Sequence, residues 1–179
     1  MRVVAGRFGG RTLVAPRGLA TRPTSDRARE ALFSILGQDL VEGARVLDLF
    51  AGSGALGIEA LSRGAAEATF VDSASAAIAV LRRNLDALGV EAEVRPQDAF
   101  AYLRSASRDA RQYDLVFLDP PYRHASALGP ELSAAVRAVL APGARVVTES
   151  DRRAPLELDL PLLDERRYGD TLIRIHGSR

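Results

Sequence analysis

A chain of 179 residues with 47% apolar and 26% charged content fits one globular domain with room for a small appendage. No apolar run approaches the ~18 residues of a membrane helix, and the start of the chain lacks a signal peptide's apolar stretch, so a cytoplasmic protein is expected. There are no cysteines and only two histidines, His124 and His176. That excludes disulfides and a cysteine nucleophile, and no metal is expected.

The net charge of +1 conceals an asymmetry. Residues 1–30 carry seven arginines (Arg2, Arg7, Arg11, Arg17, Arg22, Arg27 and Arg29) against Asp26 and Glu30, while the other 149 residues are net −4. A guanidinium fork suits phosphate, so this basic arm is the expected seat of a polyanion.

In chain order, residues 1–14 predict two short strands around Phe8-Gly9-Gly10, a hairpin. After a polar, proline-containing connection, "SDRAREALFSILG" predicts a helix capped by Thr24 or Ser25 and ended by Gly37. Its expected buried face is Ala28, Ala31, Leu32, Ile35 and Leu36. From residue 45 strands and helices alternate: strand 45–50, helix 55–63, strand 67–72, helix 74–88, strand 91–96, short helix 99–105, strand 113–119, helix 126–140 and strand 144–150. Residues 151–161 hold little helical periodicity, and the tail predicts two antiparallel strands around Gly169. Such alternation implies a mostly parallel, doubly wound α/β sheet. The expected organisation is an extension, residues 1–40, followed by a sheet domain, residues 41–179.

"VLDLFAGSGALGIEAL" places Gly52, Gly54 and Gly57 as G-x-G-x-x-G between a strand and a helix, the context a nucleotide-binding loop requires. Asp72, ending the next strand 20 residues beyond Gly52, can accept from ribose hydroxyls. Dinucleotides and S-adenosylmethionine both fit such a loop. Asp48 separates them: a carboxylate repels a pyrophosphate but attracts a sulfonium and an ammonium. S-adenosylmethionine is therefore favoured over NAD. Asp98, with the backbone of Ala99, either meets an adenine amine or simply caps the short helix.

At the end of the fourth strand stands "LVFLDPPY". An exocyclic amine on a base is a poor nucleophile, because its lone pair is delocalised into the ring. Acceptors for both its hydrogens would turn that lone pair towards a methyl donor. Asp119 supplies one acceptor and the Pro120 carbonyl the other. Pro120 and Pro121 stiffen the backbone, and Tyr122 can stack on a flipped base. The catalytic set expected is Asp119, Pro120, Pro121 and Tyr122.

These blocks resemble the class I, Rossmann-like S-adenosylmethionine-dependent methyltransferases. More narrowly, "MRVVAGRFGGRTLVAP", "TRPTSDRAREALFSIL", "VLDLFAGSGALGIEALSRGA" and "VFLDPPY" resemble the RsmD family, which methylates N2 of a guanine in bacterial 16S ribosomal RNA. The resemblance covers nearly the whole chain. It implies a mostly parallel seven-stranded sheet with an antiparallel C-terminal strand, and a cofactor site of Asp48, Phe50, Ala51, Gly52, Ser53, Gly54, Asp72, Asp98, Ala99 and Asp119. It also implies RNA contact through Arg2, Arg7, Arg11, Arg22, Arg27 and Arg29. The partner would be 16S rRNA, naked or within the 30S subunit or its assembly intermediate, met by a monomer. Two other readings remain: a DNA adenine-N6 methyltransferase, for which only about 40 residues outside the sheet leave little reading apparatus, and a non-catalytic RNA-binding assembly factor.

Overall fold

The computed structural model describes residues 1–15, 25–120 and 125–178. Seven strands form one sheet in the order β3-β2-β1-β4-β5-β7-β6. They are β1 (Arg45–Leu49), β2 (Glu67–Asp72), β3 (Glu93–Pro96), β4 (Tyr113–Leu118), β5 (Leu140–Asp151), β6 (Leu162–Tyr168) and β7 (Thr171–Gly177). The first five run parallel, while β7 is antiparallel to both β5 and β6. The alternating sequence and the Gly169 turn therefore give the sheet they predict. Residues 155–160 carry no helix or strand.

Strand alternation sends side chains to two faces. Val46, Phe70, Leu115, Phe117 and Val147 pack with Leu32 and Phe33 of α1 (Asp26–Leu36), Ile58 of α3 (Ala55–Ser62) and Leu81 of α4 (Ser75–Leu88). Leu47, Leu49, Val71, Val116, Leu118 and Val146 face Tyr102 and Leu103 of α5 (Ala99–Arg108) and Leu132 and Val136 of α6 (Ala125–Arg137). A single helical turn, α2 (Gln38–Val41), links α1 to the sheet. Every parallel strand thus delivers its carboxyl end to one rim, with β1 and β4 adjacent at its centre. That adjacency is the switch point where open α/β sheets bind ligands.

The N-terminal extension departs from expectation. The two strands shrink to one bridge, Arg2 with Thr12, closed by a 3-10 turn at Gly6–Phe8. The segment keeps hairpin bonds, Val3 N–H to the Arg11 carbonyl and Leu13 N–H to the Met1 carbonyl, and adds others to α3: Glu59 accepts from Val4 and Ala5 N–H, and the Ser62 hydroxyl accepts from Phe8 N–H. Val3, Phe8 and Leu13 join the same core as Phe117, so the described part of the extension shares the core of the sheet.

Helix α1 is capped by Ser25, whose hydroxyl accepts from Ala28 N–H, and ends at Gly37 with φ +76°. Its buried face is Ala28, Arg29, Leu32 and Phe33, rotated from the expected one; Ile35 is exposed. The Phe33 ring meets Phe117 of β4 at 5.8 Å, an aromatic contact that outweighs burying Ile35.

Candidate active site

The site begins with how β1 ends. Asp48 lies between Phe70 and Phe117 on the face under α1, α3 and α4, and is only 2% exposed. Its Oδ2 accepts from Gly57 N–H at 2.9 Å, fixing the first turn of α3. Burial raises its carboxyl to about 8, countered in part by that hydrogen bond and reinforced by Asp72.

Phe50 follows with φ +62°, a left-handed conformation that a bulky side chain rarely adopts. Such strain concentrates at ligand sites, and here it throws the chain into the glycine loop. Ala51 N–H donates to the Val71 carbonyl, and Gly52 N–H donates to Asp72 Oδ2 at 2.9 Å. Asp72 Oδ1 takes Ala74 N–H, so this carboxylate organises the loop, while each oxygen retains a lone pair for a hydroxyl. A Cβ on Gly54 would fall 2.3 Å from Leu81 Cδ1, and one on Gly57 2.4 Å from Phe70 Cε1. Both glycines serve close packing of helix and sheet. Gly52 alone opens outward, with only the Phe50 carbonyl at 4.0 Å. Ser53 is buried beside Met1, its hydroxyl 3.6 Å from the thioether.

At the neighbouring strand ends, Asp98 caps α5, its Oδ1 accepting from Ala101 N–H, and remains exposed, while Ala99 is buried. The capping role is therefore present, and Oδ2 stays available to a ligand. Asp119 and Pro120 follow β4 directly, one strand from the glycine loop. Burial, then Glu149, then Asp48 hold the Asp119 carboxyl well above the ordinary carboxylate range. Pro121 and Tyr122 lie outside the described residues, as does Arg22.

The arginine set divides. Arg27 is exposed. Arg2 is exposed and pairs with Asp26 at 3.3 Å. Arg7 stacks over Phe8 at 5.0 Å, and Arg11 donates to the Ala87 carbonyl. Arg29 must be corrected: it is 0% exposed, donates to the Arg2 carbonyl at 2.5 Å and pairs with Asp26 at 2.6 Å. A guanidinium enclosed in this way anchors α1 to the N-terminal segment and cannot reach RNA.

Two residues escaped the sequence reading. Asn84 of α4, 2% exposed, donates to the carbonyls of Val14 and Ser53 and accepts from Val14 N–H. It thereby ties the extension to the glycine loop, and a lone asparagine within an amphipathic helix gave no signal of that. Glu149 of β5 is buried at the same rim; its signal was a polar run, Thr148-Glu149-Ser150, closing an otherwise apolar strand.

A rim with a buried Asp48, a half-buried Asp119 and an outward-opening Gly52 fits a cofactor whose reactive end is cationic and which carries no phosphate. The fold and this rim define a class I S-adenosylmethionine-dependent methyltransferase, with S-adenosylmethionine as cofactor. Similarity narrows the class. The family described as Conserved hypothetical protein 95 matches residues 1–177. YlbH of Bacillus subtilis is 38% identical over the full length of both chains. Ribosomal RNA small subunit methyltransferase D of Haemophilus influenzae is 33% identical over 99% of this chain and 94% of its own. The Escherichia coli protein of that name is 42% identical over 69% of this chain and 61% of its own. Among solved structures, yhhF of E. coli superposes with a TM-score of 0.85 at 34% identity, covering 100% of this chain and 98% of that one. RsmC of Thermus thermophilus, bound to AdoMet and guanosine, shares the fold with a TM-score of 0.70 at 24% identity, over 91% of this chain and 45% of that one. The chain belongs to the RsmD family.

Proposed function

We propose that the chain transfers a methyl group from S-adenosylmethionine to the exocyclic N2 of a guanine in 16S ribosomal RNA, in the cytoplasm. The observation that carries this reading is the location of Asp119 and Pro120 at the end of β4, one strand from the glycine loop that ends β1. Bound S-adenosylmethionine supplies an electrophilic methyl on a sulfonium. Asp119 and the Pro120 carbonyl accept from the two N2 hydrogens and aim the nitrogen lone pair; Pro121 and Tyr122 are assigned to stiffening and stacking. Once methylated, N2 would have a proton to shed, and the raised proton affinity of Asp119 suits its carboxyl to receive it. Positioning of this kind contributes up to ~7–11 kcal/mol in favourable cases.

The rRNA substrate is supported by relatives named for small-subunit ribosomal RNA methylation. The RsmC structure, named for N2 of a 16S guanine, has the same fold. The test is methyl transfer from labelled S-adenosylmethionine to 16S rRNA and to 30S particles from unmodified cells, followed by nucleoside digestion. N2-methylguanosine is expected. N6-methyladenosine, or no transfer to either substrate, would reject the reading. Asp119→Ala is expected to bind cofactor with wild-type affinity and to lose transfer; full turnover would remove Asp119 from the chemistry.

A further inference from the structure

Thr148, Glu149 and Ser150 stand together at the carboxyl end of β5, and all three are buried. Burying polar groups costs free energy unless they are used, and packing alone would favour apolar residues here. Alternation sends Thr148 and Ser150 towards α5 and α6, and Glu149, like Val147, towards α1 and α3. The β4–β5 register pairs Leu118 with Thr148. One residue further, it sets Glu149 beside Asp119 on strands roughly 5 Å apart. Electrostatics agree, since Asp119 feels Glu149 more strongly than Asp48. From α1, the buried Arg29 faces Glu149 as well as Asp26 and Glu59.

The strand order then matters. β4 lies between β1 and β5, so the two N2 acceptors have the cofactor loop on one side and Glu149 on the other. A base whose amine is held over Asp119 and Pro120, pointing at the β1 loop, turns one of the ring positions beside that amine towards β5. In guanine the amine is flanked by N1, which carries a hydrogen, and N3, which carries a lone pair, and a carboxylate on the β5 side favours the pose that turns N1 towards it. In adenine and cytosine the ring nitrogen beside the amine carries a lone pair. A carboxylate accepts from the first and repels the others.

We propose that Glu149 is the specificity-determining residue for the target base, accepting the guanine N1–H while Asp119 and the Pro120 carbonyl hold N2. The proposal rests on the guanine-N2 reading and adds the means by which guanine is chosen. Enzymes read a flipped base along this edge, and a site built around such a hydrogen bond rejects analogues lacking it by up to ~10⁴–10⁵-fold.

The test uses RNA fragments carrying guanine, 2-aminopurine or inosine at the mapped methylation position. 2-Aminopurine keeps the amine but presents a lone pair at N1; inosine keeps N1–H but has no amine. Wild-type kcat/KM for guanine is expected to exceed that for 2-aminopurine by about 100-fold or more, and inosine RNA should inhibit competitively. In Glu149→Gln the amide can rotate to donate to a lone pair. The guanine preference should narrow by about tenfold or more, the worth of one hydrogen bond, with cofactor affinity unchanged. An unchanged ratio in Glu149→Gln would overturn the proposal. So would wild-type turnover of 2-aminopurine RNA at the guanine rate, a result independent of any variant's folding. If the mapped product is not N2-methylguanosine, the base assignment fails first, before any ratio is measured, and takes this proposal with it.

Discussion

Asp48 serves the fold, and the role proposed for it is to hold the cofactor as well. Its Oδ2 fixes Gly57 N–H at the start of α3, yet burial raises its carboxyl to about 8. An unfolded chain releases this proton near the ordinary value of 3.8, so between roughly pH 4 and 8 the folded state holds the proton and the unfolded state does not. The contribution of Asp48 to stability therefore falls as pH rises through that window and is level above it. A cationic cofactor favours the ionised form, so its affinity should rise over the same window. We expect Asp48→Asn to flatten this part of the pH dependence of melting temperature for the free protein, and to weaken S-adenosylmethionine binding about 10- to 100-fold at pH 8. Calorimetric titration in buffers of differing ionisation enthalpy should detect proton release on binding to the wild type and less to the variant. Gly54 and Gly52 differ in kind. Gly54→Ala combines φ +79° with a clash against Leu81 and is expected to cost about 3 kcal/mol. Gly52→Ala meets open space at φ +56° and should cost about 1 kcal/mol. Urea unfolding of the two variants measures the difference.

At the scale of elements, the sheet could be read from the sequence because apolar runs, glycines and strand lengths agree locally from residue 45 onward, and the tight turn of the glycine loop could be read because its glycines have a fixed context. The extension could not be read in the same way. Val4, Ala5 and Phe8 give their N–H groups to Glu59 and Ser62 of α3, partners some 55 positions away that no local pattern announces. For the same reason Arg29 looked like part of a basic face: composition counts charge but not direction, and the Phe33–Phe117 contact turns Arg29 inward with it. Arg29→Ala is thus expected to cost about 3–5 kcal/mol in unfolding, removing the guanidinium that faces the buried Glu59 and Glu149, without changing the salt dependence of RNA binding. Asn84 couples two elements in one amide. Losing its bonds to Val14 and Ser53 should cost Asn84→Ala about 2–3 kcal/mol and raise the dissociation constant for S-adenosylmethionine, although Asn84 belongs to the wall behind the loop. Thermal melting with and without cofactor separates the two effects.

Across the whole molecule, the distribution of charge matters more than the total of +1. On the β5–β7 flank, Arg152, Arg153, Arg167 and Arg174 line a cleft of about 340 Å³, yet Arg152 pairs with Asp170, Arg167 with Glu165, and Arg174 with Glu157 and Glu165. These ion pairs leave little excess charge for a polyanion. The extension is different: Arg27 is exposed, Arg7 is held over Phe8, and Arg2 is 67% exposed at its side chain despite its contact with Asp26. If RNA phosphates are met by this arm, each arginine engaged releases counterions, and the log–log dependence of affinity on salt steepens by about 0.7 per phosphate on a single strand. The triple variant Arg2→Ala, Arg7→Ala, Arg27→Ala should therefore flatten that slope by about 2. Arg167→Ala, drawn from the compensated flank, should leave it unchanged, as should Arg29→Ala. Filter binding of 16S rRNA between low and physiological salt measures all three. A triple variant with the wild-type slope would take these three arginines out of the RNA interface, whereas a flattened slope for Arg167→Ala would shift that interface to the β5–β7 flank.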